Sequence, residues 1–216
     1  MKRLLVGDLH GVFGNIPHLR KLHPDVDEII VVGDMGVGFP GPQDAILREM
    51  SKGITEKPLV RFIRGNHDSP EVCKTFNEGG ITWIPDGHIE DGILFIGGAW
   101  SIDQSYRTPG LNWWYNEELS ELEWEFIFLK LVGHHDQIHT VISHDAPHRV
   151  IHHVLGALRY VHKTRTSLYL DMLWNRLPNV KLWVFGHYHE YKEFRKGNTR
   201  FVCLPDRIAR TIKIGE

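Results

Sequence analysis

Short apolar runs recur along the chain, and most of them stop abruptly at polar residues. The runs contain four to six residues, are rich in Val, Ile, Leu or Phe, and occupy residues 3–6, 28–32, 59–64, 93–97, 139–143 and 181–185. Continuous apolar runs of this length are typical of strands that are buried on both faces. The pattern therefore predicts several buried strands.

Helix-like patterns separate these runs. In residues 116–131 the sequence predicts a helix with Asn116 as its N-cap and with Glu117 and Glu118 in the first turn. The buried stripe of this helix would consist of Leu119, Leu122, Phe126 and Leu129. Strands that alternate with helices indicate an α/β fold. A chain of 216 residues without an internal repeat or an obvious linker predicts a single domain over residues 1–216.

Aspartate, asparagine or histidine follows five of the predicted strands. In α/β sheets ligands bind beyond the carboxyl ends of the strands, so strands that share an edge would bring these side chains together. The side chains concerned are Asp8, His10, Asp34, Asn66, His144, His187 and His189. We predict that they form a metal site, because a mixed oxygen and nitrogen ligand set suits Mn, Fe, Co, Ni or Zn better than Mg or Ca.

The number of these ligands indicates two metal ions. Seven ligands exceed the ordinary coordination of one ion, but they are enough for two ions if one carboxylate bridges them. A pair of ions about 3.5–4 Å apart can stabilise both the attacking and the leaving oxygen of an in-line displacement at phosphorus. Taken singly, each motif also fits an ordinary polar turn.

The order of the motifs is more specific than any one of them. Asp-x-His, Gly-Asp, Gly-Asn-His-Asp, Ser-His-Asp-Ala-Pro and Gly-His-x-His follow successive predicted strands. In this order they resemble the calcineurin-like metallophosphoesterase superfamily across nearly the whole chain. The resemblance implies a two-sheet β-sandwich flanked by helices, with a dinuclear metal centre at one end.

The resemblance also implies a role for each ligand. The first metal would be bound by Asp8, His10 and His189. The second metal would be bound by Asn66, His144 and His187, and Asp34 would bridge the two. Two such ions, with Mn as the first choice, lower the pKa of a shared water, so that a hydroxide attacks phosphorus in line near neutral pH.

Three residues in or beside the Gly-Asn-His-Asp motif are expected to act in the reaction. His67 would lie beside the metals without binding them and would protonate the leaving alkoxide. Asp68, or another carboxylate, would orient the His67 ring and keep it protonated. Arg64 would place its guanidinium on a phosphate oxygen. The alternative for Arg64 is an ordinary surface charge at the end of a strand.

The segment from Gly97 to Leu119 is long for a connection and rich in Trp and Tyr. Loops of this length are usually functional or disordered, and the aromatic content argues against disorder. We expect it to form one wall of the substrate cleft, with Arg107 facing the phosphate and at least one tryptophan offering a stacking surface. The alternative is a small satellite core in which Arg107 pairs with Asp103 or Glu117.

A basic segment follows later in the chain. Residues 146–170 contain Arg149, Arg159, Lys163 and Arg165 but no acidic residue. Such a segment attracts a nucleotide or a polynucleotide end. A solvated helix face is the simpler interpretation.

The second motif departs from one branch of the superfamily. Phosphoprotein phosphatases usually read Gly-Asp-x-Val-Asp-Arg-Gly, whereas this chain has Val37, Gly38 and Phe39 where that Asp, Arg and Gly would fall. The difference removes a phosphate-binding arginine from its expected place and argues against dedicated protein-phosphatase activity. The Gly-His-x-His form is instead typical of diesterase-like and other small-molecule branches, and the pattern is similar to that of bacterial or phage metallophosphoesterases.

The expected function is therefore metal-dependent hydrolysis of a phosphate ester in a phosphorylated small molecule or nucleotide. One alternative is a phosphodiesterase or nuclease that acts on nucleotides or nucleic acid ends. Another is a scaffold that has lost catalysis, although the presence of every ligand and of His67 argues against it. The residues leave the choice between monoester and diester open.

Composition and the N-terminal sequence limit the partners and the cellular compartment that we expect for the protein. The formal net charge of -2 gives the whole molecule no field that favours nucleic acid or an anionic membrane, although a local patch could still do so. Two cysteines do not form a disulfide framework and fit a reducing compartment. The N-terminal apolar run is too short for a signal peptide or a membrane span. We expect a cytoplasmic protein with no membrane partner.

Overall fold

Two β-sheets pack face to face, with helices on both outer sides. The computed structural model describes residues 1–39, 58–78, 80–157, 159–206 and 210–214. Within these ranges, twelve strands form two six-stranded sheets. The predicted α/β sandwich flanked by helices is therefore confirmed.

The first sheet contains β1 (Arg3–Val6), β2 (Glu28–Val31), β3 (Leu59–Phe62), β4 (Asn77–Glu78), β5 (Ile81–Trp83) and β12 (Thr211–Ile214). The second sheet contains β6 (His88–Glu90), β7 (Ile93–Ile96), β8 (Thr140–Ser143), β9 (Leu182–Phe185), β10 (Lys192–Lys196) and β11 (Thr199–Cys203). The helices are α1 (Asn15–Leu22), α2 (Pro70–Thr75), α3 (Glu121–Leu131), α4 (His148–Leu155) and α5 (Arg165–Arg176).

Parallel pairing aligns the strand ends that matter for function. The first sheet has the order β12-β1-β2-β3-β5-β4, and the second has the order β10-β11-β9-β8-β7-β6. In the first sheet Val6 pairs with Val31, which pairs with Phe62, all in parallel strands. In the second sheet β7, β8 and β9 are also parallel. The residues that follow β1, β2 and β3 therefore emerge at one edge, as do those that follow β7, β8 and β9.

Strand alternation builds three apolar layers. Leu5 and Ile30 of the first sheet face Ile142 and Val184 of the second sheet. The neighbouring residues of the first sheet point outward and pack under α1 and α2, whereas those of the second sheet pack under α3, α4 and α5. Because both faces of each sheet are covered, the central strands read as unbroken apolar runs. Every predicted strand is present within two residues of its expected bounds.

The predicted start and buried face of α3 are wrong. The helix begins at Glu121, not after Asn116, because Ser120 and Glu123 form a reciprocal capping box. Leu122, Phe126 and Leu129 of the predicted stripe are exposed, and the helix instead buries Trp124, Ile127 and Leu131. The helix is apolar around much of its circumference, so periodicity alone does not choose the buried face.

The structure can also be compared with the expectations about membrane spans and about the two cysteines. No helix in the described part of the chain is long and apolar enough to cross a bilayer. Cys73 and Cys203 are both buried and free. The single domain over residues 1–216 stays a prediction.

Candidate metal centre

Four side chains from three strand ends form the more exposed part of the site. Asp8, His10, Asp34 and His189 each offer a ligand atom, and these atoms lie within 4.8 Å of one another. The Nε2 atoms of His10 and His189 are 2.9 Å apart, and Asp8 Oδ2 lies 3.3 Å from His189 Nε2. Atoms bound to one ion at about 2.1 Å lie about 3 Å from each other. The cluster could therefore hold a metal ion after small movements of its side chains.

The second group lies on the other side of the Asp34 carboxylate. Asp34 Oδ2 is 3.9 Å from His10 Nε2, whereas Asp34 Oδ1 is 3.3 Å from His144 Nε2. His144 Nε2 is also 3.1 Å from Asn66 Oδ1, and the ring centre of His187 is 5.1 Å from that of His144. The structure thus brings all seven predicted ligands together, with Asp34 between the two groups.

Hydrogen bonds orient His144 and Asn66 as ligands. The Nδ1–H of His144 donates to the carbonyl of Val32 at 2.9 Å, which turns Nε2 toward Asp34. The amide nitrogen of Asn66 donates to Ser101 Oγ at 2.9 Å, and Ser101 Oγ donates to a Glu117 carboxylate oxygen at 2.6 Å. The Asn66 oxygen is therefore directed at the site. Sequence reasoning missed Ser101 and placed Glu117 in a helix, since neither position carries a motif.

The charges of the site indicate that it is built for a cation. Burial lowers the pKa of His144, but the nearby Asp34 carboxylate outweighs this effect and raises it to about 10. Burial would raise the pKa of Asp34, yet the His144 charge holds it well below its usual range. Burial and the His144 charge lower the pKa of His187 to about 3. A proton on His144 thus compensates buried negative charge, which is the role that a bound metal cation would take over.

Backbone strain is concentrated at the predicted ligands. His10, Asp34, His187 and His189 have φ angles of 47°, 47°, 68° and 55°. Among the described residues, only one other non-glycine residue has a positive φ angle. Residues other than glycine adopt this conformation rarely, and they do so mainly where function over-determines the local structure.

Two glycines of the motifs make room for ligands. A Cβ atom at Gly33 would overlap the ring of His144, and Gly33 also has a φ angle of 109°. A Cβ atom at Gly186 would overlap the carboxylate of Asp8. Gly186 is therefore needed for this close approach of the Asp8 carboxylate.

His67 lies beside the metal ligands and close to Arg107. Its backbone N–H donates to Asp34 Oδ1 at 2.7 Å, and its ring stacks on Phe39 with ring centres 5.9 Å apart. The two terminal nitrogens of Arg107 lie 2.8 and 3.2 Å from the ring nitrogens of His67. Burial is the main cause that lowers the pKa of His67, and the Arg107 charge adds to it. Arg107 also pairs with Asp103 at 2.8 Å, as the alternative interpretation expected, and it lines the cavity; that it faces a phosphate stays a prediction.

The predicted role of Asp68 is contradicted. Its carboxylate does not orient the His67 ring but accepts hydrogen bonds from the backbone N–H groups of Met35, Gly36, Val37 and Gly65 at 2.7 to 3.1 Å. These bonds join the turn after β2 to the turn after β3. Burial and the Asp34 charge raise the pKa of Asp68 to about 6. Asp68 therefore fixes the two turns that carry Asp34 and Asn66.

The structure also contradicts the predicted role of Arg64, and its surface alternative. The side chain is buried, and Nε donates to Asp86 Oδ2 at 2.8 Å while Nη1 donates to the Glu117 carbonyl at 2.7 Å. With Nε and Nη1 used in this way, the guanidinium joins β3 to two connections next to the second sheet, and Arg64 does not line the cavity that opens beside the ligands.

A cavity of about 580 Å³ opens beside the ligands. It is lined by Asp34, Asn66, His67, His187 and His189, by Trp100 and Arg107 of the predicted loop, and by Arg159, Tyr160 and His162. Of the four basic residues predicted in this segment, only Arg159 lines the cavity, and it lies between α4 and α5 rather than on a helix face. Tyr160 and His162 were missed by sequence reasoning, because they belong to no motif or periodic pattern.

A family model matches most of the chain. The model described as calcineurin-like phosphoesterase matches residues 1–191. The chain belongs to the calcineurin-like phosphoesterase family. This assignment confirms the resemblance that the motif order indicated; the family is metal-dependent, and the chain has a group of side chains that could hold a metal ion. No curated protein sequence matches this chain.

Solved structures show that this calcineurin-like phosphoesterase shares its fold with distant proteins. TT1561 of Thermus thermophilus gives a TM-score of 0.57 at 15% identity, over 95% of this chain and 89% of the other. The phosphopantetheinyl hydrolase PptH of Mycobacterium tuberculosis gives 0.52 at 17% identity with the same coverages of 95% and 89%. GAP50, the anchor in the inner membrane complex of Plasmodium, gives 0.58 at 14% identity, over 95% and 71%.

Proposed function

We propose that the protein hydrolyses phosphate esters and that it binds two divalent cations for this purpose. The observation that carries the proposal is the position of Asp34. One oxygen of its carboxylate faces His10, and the other faces His144, so a single side chain lies between two separate ligand groups. A carboxylate placed in this way suits a bridge between two cations.

The two ligand groups differ in what they would hold. The first cation would be held by Asp8, His10 and His189, and the second by Asn66, His144 and His187. When bound, two divalent cations supply Lewis acidity that lowers the pKa of water and neutralises phosphoryl oxygens. The mixture of oxygen and nitrogen donors favours Mn, Fe, Co, Ni or Zn, with Mn as our first choice.

His67 and Arg107 would act on the substrate itself. Hydrolysis adds the oxygen of water to phosphorus and breaks the bond between phosphorus and the leaving oxygen, which then needs a proton. The His67 ring would donate that proton, and its lowered pKa makes it a ready donor once protonated. The Arg107 guanidinium, next to this ring, would bind an oxygen of the phosphate. It would replace the arginine that the second motif lacks.

The fold neighbours agree with a hydrolase. PptH, at 17% identity, is a hydrolase by name, and its likeness in fold supports hydrolysis on this scaffold without indicating the same substrate. We infer that the substrate is a phosphorylated small molecule or nucleotide, with nucleic acid ends as a further candidate. The same fold and site would also serve a phosphodiesterase.

The test compares an aryl phosphate with its bis-aryl diester, with and without added Mn. Turnover of either ester that is lost on chelation and restored by metal is the expected result. The ratio of the two kcat/KM values then assigns monoester or diester preference. Absence of turnover with both esters, in protein that elemental analysis shows to carry metal, would favour the inactive scaffold instead.

A further inference from the structure

Trp100, Tyr160 and His162 form a contiguous group of aromatic side chains in the cavity lining. Trp100 and His162 have ring centres 4.9 Å apart, and Tyr160 meets His162 edge-on at 4.8 Å. All three contact the same cavity as Asp34 and His189. We call Trp100, Tyr160 and His162 the aromatic wall. Because the Tyr160 ring is 80% exposed, the wall offers a ring face to a ligand.

An arginine next to the aromatic wall has no side-chain partner among the described residues. Within the described ranges, the Arg159 side chain makes no ion pair or hydrogen bond, although it lines the cavity. By contrast, Arg149 of the same basic segment binds Asp171, and Arg165 binds the carbonyl of Leu119. Lys163 also has no ion pair or hydrogen bond within the described ranges, but it does not line the cavity, so Arg159 is the basic residue of this segment that is placed to meet an anionic ligand there.

We propose that the aromatic wall binds the base of a nucleotide and that Arg159 binds a phosphate other than the one held at the ligand cluster. The placement of the reacting phosphate rests on the function proposed above. Ring faces and arginine guanidinium groups are the surfaces on which bases stack. A cavity of about 580 Å³ has room for a ligand much larger than phosphate alone.

Binding to matched ligands tests the aromatic wall independently of catalysis. The ligands are α,β-methylene adenosine diphosphate and methylenediphosphonate, which share two linked phosphorus groups but differ in the nucleoside. Calorimetry on the metal-loaded protein should show that the nucleotide analogue binds about tenfold more tightly or better, which is the usual contribution of one stacked base. Tyr160→Ala should remove most of this difference and leave methylenediphosphonate unchanged, whereas Arg159→Ala should weaken both ligands by the same factor.

Tyr115→Ala is the matched control, because Tyr115 is 81% exposed and does not line the cavity. Equal binding of the two ligands, or an equal effect of Tyr160→Ala and Tyr115→Ala, would overturn the aromatic wall as a base site. An Arg159→Ala protein that binds both ligands normally would overturn the phosphate role. Intact nucleotide binding without hydrolysis of any ester would count against the proposed function and not against the aromatic wall.

A separate observation concerns Tyr188, which lies between the ligands His187 and His189. Its hydroxyl donates to Asp145 Oδ1 at 2.5 Å, and its ring packs edge-on against His187 with centres 5.0 Å apart. Asp145 directly follows the ligand His144 and is itself buried. The hydrogen bond therefore joins the turn after β9 to the turn after β8.

The other contacts of Asp145 keep it in place. Its carboxylate accepts the N–H of Ala146 at 2.7 Å and the hydroxyl of Thr164 at 3.4 Å. Thr164 also caps α5. Asp145 is thus fixed by α5 and by its own turn, and Tyr188 is bound to a fixed point.

We further propose that Tyr188 is a positioning residue. Its hydrogen bond would hold the two neighbouring histidines in the left-handed backbone conformation, with φ angles of 68° and 55°, that brings them to the other ligands. Without this hydrogen bond, His187 and His189 would relax more easily out of their strained backbone conformation. Groups that orient the metal ligands without binding the metal themselves typically contribute about 10–100-fold to metal affinity.

Tyr188→Phe removes only the hydroxyl and should weaken Mn binding by about tenfold or more, measured by calorimetry on chelated and refilled protein. Tyr191→Phe is the matched control, since the Tyr191 hydroxyl contacts the exposed Glu193 and no ligand. The melting temperature of the metal-free proteins separates the two possible roles. A lower melting temperature of Tyr188→Phe with unchanged Mn affinity would overturn the proposal and leave Tyr188 a packing residue.

Discussion

The two sides of the Asp34 carboxylate differ in their access to solvent. On one side, His144 is fully buried and Asn66 is nearly so. On the other side, the side chains of His10 and His189 are 23% and 47% exposed. We call these the buried side and the exposed side of the site. The buried side is held by hydrogen bonds to Val32 and Ser101, whereas the ring nitrogens of the exposed side mainly meet each other and the carboxylates.

The difference in exposure indicates how one site can bind metal firmly on one side and leave the metal on the other side open to exchange with solvent. Ligands that are already oriented lose little freedom when a cation binds, so the buried side should bind its metal more tightly. Both sides contribute ligands to the cavity lining, Asn66 and His187 from the buried side and His189 from the exposed side, but solvent reaches more of the His10 and His189 side chains on the exposed side. Metal there should exchange faster. Substitutions on the two sides should therefore differ in what they change and by how much.

Asp34→Asn should have the largest effect, because it changes the one residue shared by both sides. The substitution removes a negative charge next to both ligand groups, so metal content should fall below one ion per chain and kcat/KM should fall by at least about 10²-fold. Elemental analysis after reconstitution with excess Mn measures the first effect. Asp25→Asn is the control, since Asp25 is exposed and pairs with Lys213. Active wild-type protein that holds one ion or fewer would contradict the dinuclear arrangement.

His144→Gln and His189→Gln compare the two sides directly. Both should reduce metal content by one ion per chain and lower activity. Only His144→Gln should also lower the melting temperature of the chelated protein, by the equivalent of about 1–3 kcal/mol, because it disturbs buried hydrogen bonds to Val32 and Asn66. Thermal unfolding in the presence of chelator measures this difference. Equal melting temperatures would mean that burial does not distinguish the two sides.

His67→Gln tests the exposed side for proton transfer. If His67 protonates the leaving oxygen, kcat should fall by about 10²-fold or more for alkyl esters and much less for an activated aryl ester, whose phenolate leaves unaided. Metal content should stay at the wild-type value. Equal losses with both leaving groups would instead assign His67 to binding or to charge stabilisation at the phosphoryl oxygens.

The strands and the ligand set could be predicted from the sequence because both depend on local patterns. Buried strands read as apolar runs, and parallel pairing then places the residues after those runs at one edge. The partners of Arg64 and Asp68 could not be predicted, since they come from distant turns and partly from backbone groups. The same limit applies to Tyr160, whose position depends on how the connection between α4 and α5 lies over the cavity.

Two arginines near the site extend the comparison to residues that do not bind metal. Arg64 is buried and is held by Asp86 and a backbone carbonyl, whereas Arg107 lies beside His67 and lines the cavity. Arg107→Ala should therefore raise KM or lower kcat by about tenfold, in line with the loss of one charge-assisted hydrogen bond, and should leave the melting temperature nearly unchanged.

Arg64→Ala is the counterpart and should show the opposite pattern. It leaves the largely buried Asp86 carboxylate without its charged partner, so the melting temperature should fall while the folded fraction keeps its kcat and KM. Initial rates at several substrate concentrations, measured well below each melting temperature, separate the two effects. The contradicting outcome for Arg107→Ala is a strongly lowered melting temperature with unaltered kinetics. It would show that Arg107 acts through its ion pair with Asp103 and that the loop from Gly97 to Leu119 only packs against the sheet.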